Sequence, residues 1–416
     1  MADYNAFEYL CIDAANHLGL DKELFEVRID YIMNRINQLE DLLDEAPSKT
    51  RPLYIKTVIA IENARKGLPI GHAVGFDATC SGIQILSALS GCVAGANATG
   101  LIDPNRRADA YTDVTAGMDR ELGGQMLLDR AEIKQAVMTS SYGSSLIPKS
   151  LFGEDTPELA AFYAAAMKVA PGAFALLEEL KDTWVPFALK HSWVLPDNFH
   201  VHVKNMVDVE AKIEIDELDH ASFTAYFKQN EGEERGVANV ANVTHSVDAY
   251  VLRNLIRRCN YNEYQTVRAY DIVDNEILYR YLGGKQGEQE LAEDDKMLTY
   301  IERYDATRMA DPVVTDYMTA AGANHMTLEH LEALREVYQQ MLVHKPFPIM
   351  SVHDEFKCHP NHMNHLRKHY REVFAQLAES EILSDIFSQM HGTKLKYKKL
   401  SNDLGDKIRK SAYAIC

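Results

Sequence analysis

The sequence predicts a helix-rich α+β fold with one small antiparallel sheet. Apolar residues recur at helical spacing through residues 1–70, 106–190 and 246–343, so these stretches are predicted to be largely helical. Residues 73–77 are typical of a short buried strand, and residues 348–360 are typical of a hairpin. The helices therefore dominate, and the few strands are widely separated along the chain.

Within this outline the individual elements follow from local patterns. Helices are predicted over Phe7–Leu18 and Leu24–Leu43, and a further helix over residues 83–89. Residues 200–228 alternate apolar and polar side chains, which indicates strands. The last 56 residues, from 361 to 416, are predicted to be helical with a mixed tail.

Composition limits the class of protein. A chain of 416 residues, 46% apolar and 25% charged, buries a large core and is expected to divide into two or three subdomains. No stretch approaches 18 apolar residues and none resembles a secretory signal, so no membrane association is expected. The six cysteines contain no Cys-x2-Cys pair, which is typical of reduced thiols in the cytoplasm.

The net charge of −18 argues against a free-standing DNA-binding protein. Binding to a phosphate backbone normally requires a basic surface. Part of this acidity is expected in a site that binds metal ions through carboxylates. The remainder suggests that a partner supplies basic surface.

Two aspartates stand where predicted strands end. Asp77 closes the first strand, and Asp354 lies at the tip of the hairpin. Taken alone, the first is most simply a helix N-cap and the second a turn residue. Taken together, they are hard oxygen ligands on neighbouring strands, and such ligands bridge two Mg²⁺ ions about 3.5–4 Å apart.

A basic helix is predicted between the two aspartates. Asp129 and Glu132 form a capping box that starts it at Arg130, and Gly143 ends it. Four residues of this helix, each four positions after the last, share one face and span roughly 18 Å. They are Arg130, Lys134, Met138 and Tyr142. The basic pair is suited to hold phosphates while the tyrosine reaches a sugar and base; the alternative is an amphipathic surface helix.

The three fragments, residues 77–84 (DATCSGIQ), 130–143 and 353–356 (HDEF), resemble motifs A, B and C of the single-subunit, phage-type RNA polymerase family. Mitochondrial RNA polymerase belongs to the same family. Residues 242–248 (NVTHSVD) resemble the segment whose histidine contacts the incoming ribose.

Two further regions extend the resemblance. The strand-rich region near 200–230 occurs where the family has its promoter-specificity hairpin, and residues 411–416 resemble its aromatic C-terminal tail. The resemblance is therefore expected to run from about residue 65 to the end of the sequence.

The resemblance implies the palm and fingers of a right-hand polymerase, with the palm sheet carrying the two catalytic aspartates. Residues 1–92 are then N-terminal helices and the first part of the palm, and residues 93–245 are the fingers with the specificity-hairpin region. Residues 246–416 are the second part of the palm, with an inserted region at 260–345.

Roles carried over from the family fall into three groups. The implied catalytic residues are Asp77, Asp354, Lys134 and Tyr142. The implied nucleotide-binding residues are Arg130, Lys134, Met138, Tyr142, Gly143, His245 and Gly82. The implied ligands of two Mg²⁺ ions are Asp77, Ala78 and Asp354. The expected activity is DNA-templated RNA synthesis from nucleoside triphosphates.

The choice between RNA and DNA synthesis depends on a few positions. Related DNA polymerases have a glutamate that blocks a 2′-hydroxyl where this chain has Gly82. In contrast, a glutamate directly after the motif C aspartate, here Glu355 after Asp354, is the residue that DNA polymerases favour. Gly82 and His245 together favour RNA synthesis. The alternatives are a DNA polymerase of the related family and a non-catalytic scaffolding relative.

Some family features are absent from the sequence, which has no Gly-Arg dipeptide. The family places a thumb and a Gly-Arg-containing palm strand before motif A. The resemblance therefore implies the catalytic subunit of a heterodimeric bacteriophage polymerase, whose smaller subunit supplies the thumb and N-terminal palm. Further expected partners are template DNA, nascent RNA and a recruitment factor that binds single-stranded DNA. The expected location is the cytoplasm of the infected bacterial host.

Overall fold

A computed structural model describes residues 3–124 and 130–416 of the protein. Helices dominate it, as the sequence predicts. They are α1 (Ala6–His17), α2 (Phe25–Met33), α3 (Arg51–Arg65), α4 (Ser81–Ser90), α5 (Val93–Ala98), α6 (Ala110–Glu121), α7 (Arg130–Ser140), α8 (Leu146–Phe152), α9 (Pro157–Val169), α10 (Pro171–Lys181), α11 (Ala238–Cys259), α12 (Glu263–Tyr281), α13 (Lys296–Thr307), α14 (Ala320–His325), α15 (Leu328–Leu342), α16 (Met363–Glu379), α17 (Ile382–His391) and α18 (Leu404–Ile408). Short 3₁₀ turns occur at Asp41–Asp44, Asp216–Leu218, Pro312–Tyr317 and Pro360–His362.

The strands within residues 3–124 and 130–416 form three small antiparallel sheets. They are β1 (Val74–Asp77), β2 (Lys190–Val194), β3 (His200–Lys204), β4 (Met206–Ile215), β5 (Ala221–Asn230), β6 (Met350–Val352) and β7 (Glu355–Cys358). One sheet has the order β1-β7-β6, and the other two are the pairs β2-β3 and β4-β5. The predicted helix-rich α+β fold is confirmed, although the described residues form three small antiparallel sheets and not one.

The three-stranded sheet joins the two ends of the sequence. β1 pairs with β7 so that Asp77 lies opposite Glu355, and β6 and β7 form a hairpin in which Val352 pairs with Glu355. His353 and Asp354 make the two-residue turn, and His353 has φ +55°. Left-handed backbone is uncommon for a residue with a side chain. The hairpin thus presents Asp354 beside the end of β1.

The first aspartate lies between two buried elements. Val74 and Phe76 point into the core while Asp77 points away from it, because side chains alternate along a strand. Every residue of α4 is buried, and Gly91 ends that helix with φ +72°. Burial of Phe76 alone stabilises the fold by about 1.5–3 kcal/mol, so the strand that carries Asp77 is anchored in the core.

One predicted helix is wrong in extent. The stretch Leu24–Leu43 is not a single helix, because α2 ends at Met33 and the chain turns before the 3₁₀ segment Asp41–Asp44. Two asparagines, Asn34 and Asn37, occupy the break. Asparagine favours turns over helix interiors because its side chain competes for backbone hydrogen bonds.

A second hydrophobic cluster lies within the region predicted to be an insertion. Its buried members run from Ala269 to Met341 and include Ile277, Leu334 and Tyr338. A separate, larger cluster contains β1 and α4 and joins residues from all three predicted domains. The insertion at 260–345 and the other domain boundaries stay predictions; the second cluster lies within the first of these ranges.

Among residues 3–124 and 130–416, no single helix is long and apolar enough to span a membrane. The pair α9 and α10 reaches the required length and composition together, with a bend of 109°.

Buried histidines predict an acid-sensitive fold. Burial lowers the pKa of His330 to about 3 and that of His344 to about 4, both from 6.5. The unfolded chain therefore binds protons that the folded chain does not. The free energy of unfolding should fall as pH drops from 6.5 toward 4, by about 1.4 kcal/mol per pH unit per histidine.

The check is the melting temperature between pH 5 and 7.5. His330→Phe retains the stacking on Tyr304, whose ring lies 3.8 Å away, and should reduce the pH slope. Substituting the exposed His200 in the same way is the control. Equal slopes in wild type and His330→Phe would contradict the prediction.

Candidate active site

A cavity of about 890 Å³ opens beside the three-stranded sheet. Residues from all the predicted motifs line it, although they are far apart in sequence. They are Asp77, Ala78, Gly82, Lys134, Met138, Tyr142, His245 and Asp354. Of the predicted site residues, Arg130 and Gly143 are not among those that line the cavity.

Carboxylates crowd one end of this cavity. Burial raises the pKa of Asp77 to about 6, and repulsion from Asp354 and Glu355 adds to the rise, while Lys134 and Arg107 oppose it. The Asp77 side chain is nonetheless accessible from the cavity. Negative groups that repel one another and face an accessible space favour a bound cation, so this donor set fits Mg²⁺.

A further carboxylate, Asp248, also lines the cavity, and it was not among the predicted site residues. Burial raises its pKa to about 6, with a further contribution from Asp354. Asp248 lies on α11 three residues after His245, and residues three apart share a helix face. This spacing within the NVTHSVD segment is the signal that would have identified it.

Helix α7 is shorter than predicted. It ends at Ser140, so Tyr142 lies in the following turn and not on the helix. Gly143 has φ +81°, and the Ser144 N–H donates to the Thr139 carbonyl at 3.1 Å. This bond closes a glycine C-cap. The predicted capping residue at the other end, Asp129, lies outside the described residues.

Tyr142 and His245 form a stacked pair. Their ring centroids are 4.4 Å apart with an interplanar angle of 16°. The Tyr142 hydroxyl lies 3.2 Å from Ser81 Oγ, at the start of α4. Three distant segments thereby meet at one tyrosine, which brings together the two residues predicted to contact the sugar.

The two predicted glycines have packing roles. A Cβ at Gly82 would lie 2.5 Å from Ser141 Oγ and 3.2 Å from the Tyr142 ring, and a Cβ at Gly143 would lie 2.6 Å from Val240. Gly82 therefore adjoins the tyrosine, but the space beside its Cα is filled, contrary to the expectation of open room.

Arg130 differs most from its predicted role. Its Nη2 lies 2.6 Å from Asp109 Oδ2, and its Nε donates to the same oxygen at 2.7 Å. Its guanidinium carbon lies 5.4 Å from the Tyr111 ring centroid, and Lys134 Nζ lies 5.3 Å from the same centroid. Lys134 lines the cavity, whereas Arg130 is paired outside it.

Arg107 is a cation that lines the cavity and was not predicted from the sequence. Its Nη1 donates to Thr79 Oγ1 at 2.7 Å and to the Ala108 carbonyl at 2.6 Å, while Nε donates to the Asp21 carbonyl at 3.2 Å. These bonds fix the guanidinium beside motif A. No sequence signal marks it, because a single arginine in a loop has no diagnostic spacing.

The C-terminal segment lies against motif A. Ile415 bridges Ala78, the Cys416 N–H donates to the Asp77 carbonyl at 3.1 Å, and Gln84 Nε2 donates to the Ala414 carbonyl at 2.9 Å. On the other side, the Ala78 N–H donates to the Asp354 carbonyl at 3.2 Å. The backbone around the acidic pair is therefore held from two directions.

Residues 2–152 match the family model described as DNA-dependent RNA polymerase. The matched region begins well before residue 65, so it includes α1–α3 as well as motifs A and B, while His245 and Asp354 lie beyond it. The comparison with curated proteins gave no match. The family match indicates an enzyme, and its class is nucleotidyltransferase. More particularly, it supports DNA-dependent RNA polymerase activity, which requires template DNA, RNA and nucleoside triphosphates.

Proposed function

We propose that this chain is the catalytic subunit of a DNA-templated RNA polymerase that extends an RNA 3′ end with ribonucleotides. The observation that carries the proposal is the meeting of the acidic pair Asp77 and Asp354, the cation Lys134 and the Tyr142–His245 stack in one cavity. The family match over residues 2–152 supports the same activity. In this proposal β1, β6 and β7 are the palm sheet, and α6–α10 form the body of the fingers.

Asp77, Asp354 and the carbonyl of Ala78 would hold two Mg²⁺ ions. Their fit is supported by the crowded carboxylates, whose mutual repulsion contributes to the raised pKa of Asp77. When bound, Mg²⁺ would help activate the 3′-hydroxyl and neutralise the triphosphate and the leaving pyrophosphate. The count of two ions follows from the resemblance.

The cavity cations would bind the triphosphate. Lys134 and Arg107 both line the cavity, and both oppose the negative potential at Asp77. Arg130, the predicted phosphate contact, would join them only by leaving Asp109, its partner at 2.6 Å. In the proposed site, Arg107 therefore performs the role that the resemblance gives to Arg130.

Tyr142 and His245 would contact the sugar of the incoming nucleotide. Their stacked rings present one hydroxyl and one imidazole next to the acidic pair, and burial lowers the pKa of His245, which favours the neutral ring. A neutral imidazole offers both a donor and an acceptor to a ribose hydroxyl. Gly82 lets the Tyr142 ring pack beside α4, because a Cβ at position 82 would lie 3.2 Å from that ring.

The test is extension of an RNA primer on single-stranded DNA with Mg²⁺, using ribonucleotides and deoxyribonucleotides in parallel. The proposal expects ribonucleotide incorporation. A preference for deoxyribonucleotides would favour the alternative of a related DNA polymerase. Glu355 beside Asp354 is the feature that supports this alternative, although Glu355 Oε1 pairs with Lys357 Nζ at 2.9 Å. No incorporation with either set would favour a scaffolding relative.

We further propose a smaller subunit as partner, together with a recruitment factor that binds single-stranded DNA, in the cytoplasm of a bacterium infected by a phage. The net charge of −18 supports dependence on a partner with basic surface. Co-purification of separately tagged chains tests it. Failure to associate, or full activity of the single chain, would overturn it.

Arg107→Ala should raise KM for the nucleoside triphosphate about tenfold with little change in kcat, because one charge-assisted contact is worth about 1.5–3 kcal/mol. The matched control is Arg106→Ala. Arg106 is exposed, pairs with Asp113 at 2.8 Å and is not among the residues that line the cavity. Equal effects of the two substitutions would contradict the role of Arg107.

A further inference from the structure

The pair β4–β5 is a long antiparallel ribbon that the other described parts of the chain leave uncovered. Met206–Ile215 pairs along its whole length with Ala221–Asn230. None of residues 206–230 is buried. A two-stranded ribbon is marginally stable on its own, and it usually needs a hydrophobic face packed against something else.

The register divides the ribbon into an apolar face and a polar face. Paired residues of an antiparallel ribbon lie on the same face, and Val209 pairs with Phe227, Ala211 with Ala225, and Ile213 with Phe223. The apolar face consists of Val207, Val209, Ala211, Ile213, Ile215, Ala221, Phe223, Ala225 and Phe227, interrupted by Gln229 at one end. A continuous apolar surface of this kind marks an interaction site.

The charge of the ribbon distinguishes between possible occupants. Residues 206–230 contain six carboxylates and two lysines. An acidic ribbon with an apolar face does not complement a phosphate backbone, which requires cations. A second copy of this chain would bring the same negative charge against it. The complementary surface is apolar and bordered by lysine or arginine.

We propose that the apolar face of the β4–β5 ribbon is the docking site for a separate protein chain that presents an apolar strip flanked by basic residues. The resemblance instead assigns this region to promoter recognition, and the apolar and acidic character of the ribbon argues for a protein occupant. The docking site does not depend on the proposed catalytic chemistry.

The experiment uses the full chain and a fluorescein-labelled helical peptide with leucine on one face and lysine on the other. The disruptive variant combines Ile213→Thr, Phe223→Thr and Phe227→Thr, because threonine preserves strand propensity. The control, Tyr226→Thr, removes an aromatic side chain from the opposite face that is 75% exposed. Binding is followed by fluorescence anisotropy, and circular dichroism compares the folds.

The expected result is saturable binding to the wild type, weakened at least about tenfold by the triple substitution and unchanged by Tyr226→Thr. A peptide with glutamate replacing lysine should bind at least about tenfold more weakly. In the wild type, the bound peptide should slow amide exchange in residues 206–230, a result that does not depend on the variants folding.

Three results would overturn the proposal. The first is peptide binding that the triple substitution does not weaken, or that leaves the amide exchange of residues 206–230 unchanged. The second is a wild-type dimer in sedimentation that the triple variant loses, which would identify a second copy as the occupant. The third is binding of duplex DNA by the wild type but not by the triple variant, which would indicate that the ribbon recognises promoter DNA.

Discussion

Asp354→Asn is expected to reduce nucleotide incorporation by at least about 10³-fold while the fold persists. The substitution removes one carboxylate from the pair that would hold Mg²⁺, and such charge stabilisation is worth several kcal/mol in the transition state. The structural role of this residue lies in its backbone, because its carbonyl accepts from the Ala78 N–H at 3.2 Å. Asparagine keeps that bond.

A second readout separates loss of chemistry from loss of structure. Repulsion from Asp354 contributes to the raised pKa of Asp77. The metal-free variant should therefore melt no lower than the metal-free wild type, and Mg²⁺ should no longer raise its melting temperature. Asp271→Asn, on an exposed face of α12, is the matched control. Retained incorporation in Asp354→Asn would exclude this carboxylate from the chemistry.

Lys134→Ala has the second largest expected effect, a loss of about 10²-fold in kcat/KM. Lys134 Nζ is anchored 5.3 Å from the Tyr111 ring centroid and faces the cavity. Its ammonium would make charge-assisted contacts to the triphosphate, and each of these is worth about 1.5–3 kcal/mol. The measurement is steady-state incorporation at varied nucleotide concentration.

The conservative variant and a distant control make this result specific. Lys134→Arg keeps the charge and should recover part of the activity. Lys168→Ala removes an equal charge from an exposed pair with Glu121 and should leave kcat/KM unchanged. Lys134→Ala could instead lower only the amount of folded protein, while each folded molecule keeps its nucleotide affinity and turnover. That result would assign Lys134 to stability alone.

The sequence was most informative where a local pattern determines the backbone. The short buried run at residues 73–77 predicts β1, and the helical pattern at residues 83–89 predicts most of α4. The hairpin at β6 and β7 was found in the same way. These are the elements that hold Asp77 and Asp354, so the acidic end of the cavity followed from sequence.

The rest depended on tertiary contacts that spacing does not encode. Arg130 has the helical spacing of a phosphate ligand, but Asp109, on another segment, pairs with it. Arg107 reaches the cavity only because three oxygens from Asp21, Thr79 and Ala108 orient it. Tyr142 left the predicted helix because the turn at Gly143 closes it earlier.

Localised cleavage can show whether the distant segments around Asp77 and Asp354 form one metal site. Fe²⁺ replaces Mg²⁺ in the full chain, ascorbate and peroxide generate radicals at the bound iron, and mass spectrometry maps the cut peptide bonds. Cuts are expected near residues 77–80 and 353–355, and they should be suppressed by Mg²⁺ and abolished by Asp354→Asn. Cuts confined to the exposed Glu214, Asp216 and His220 group, or insensitive to Asp354→Asn, would contradict it.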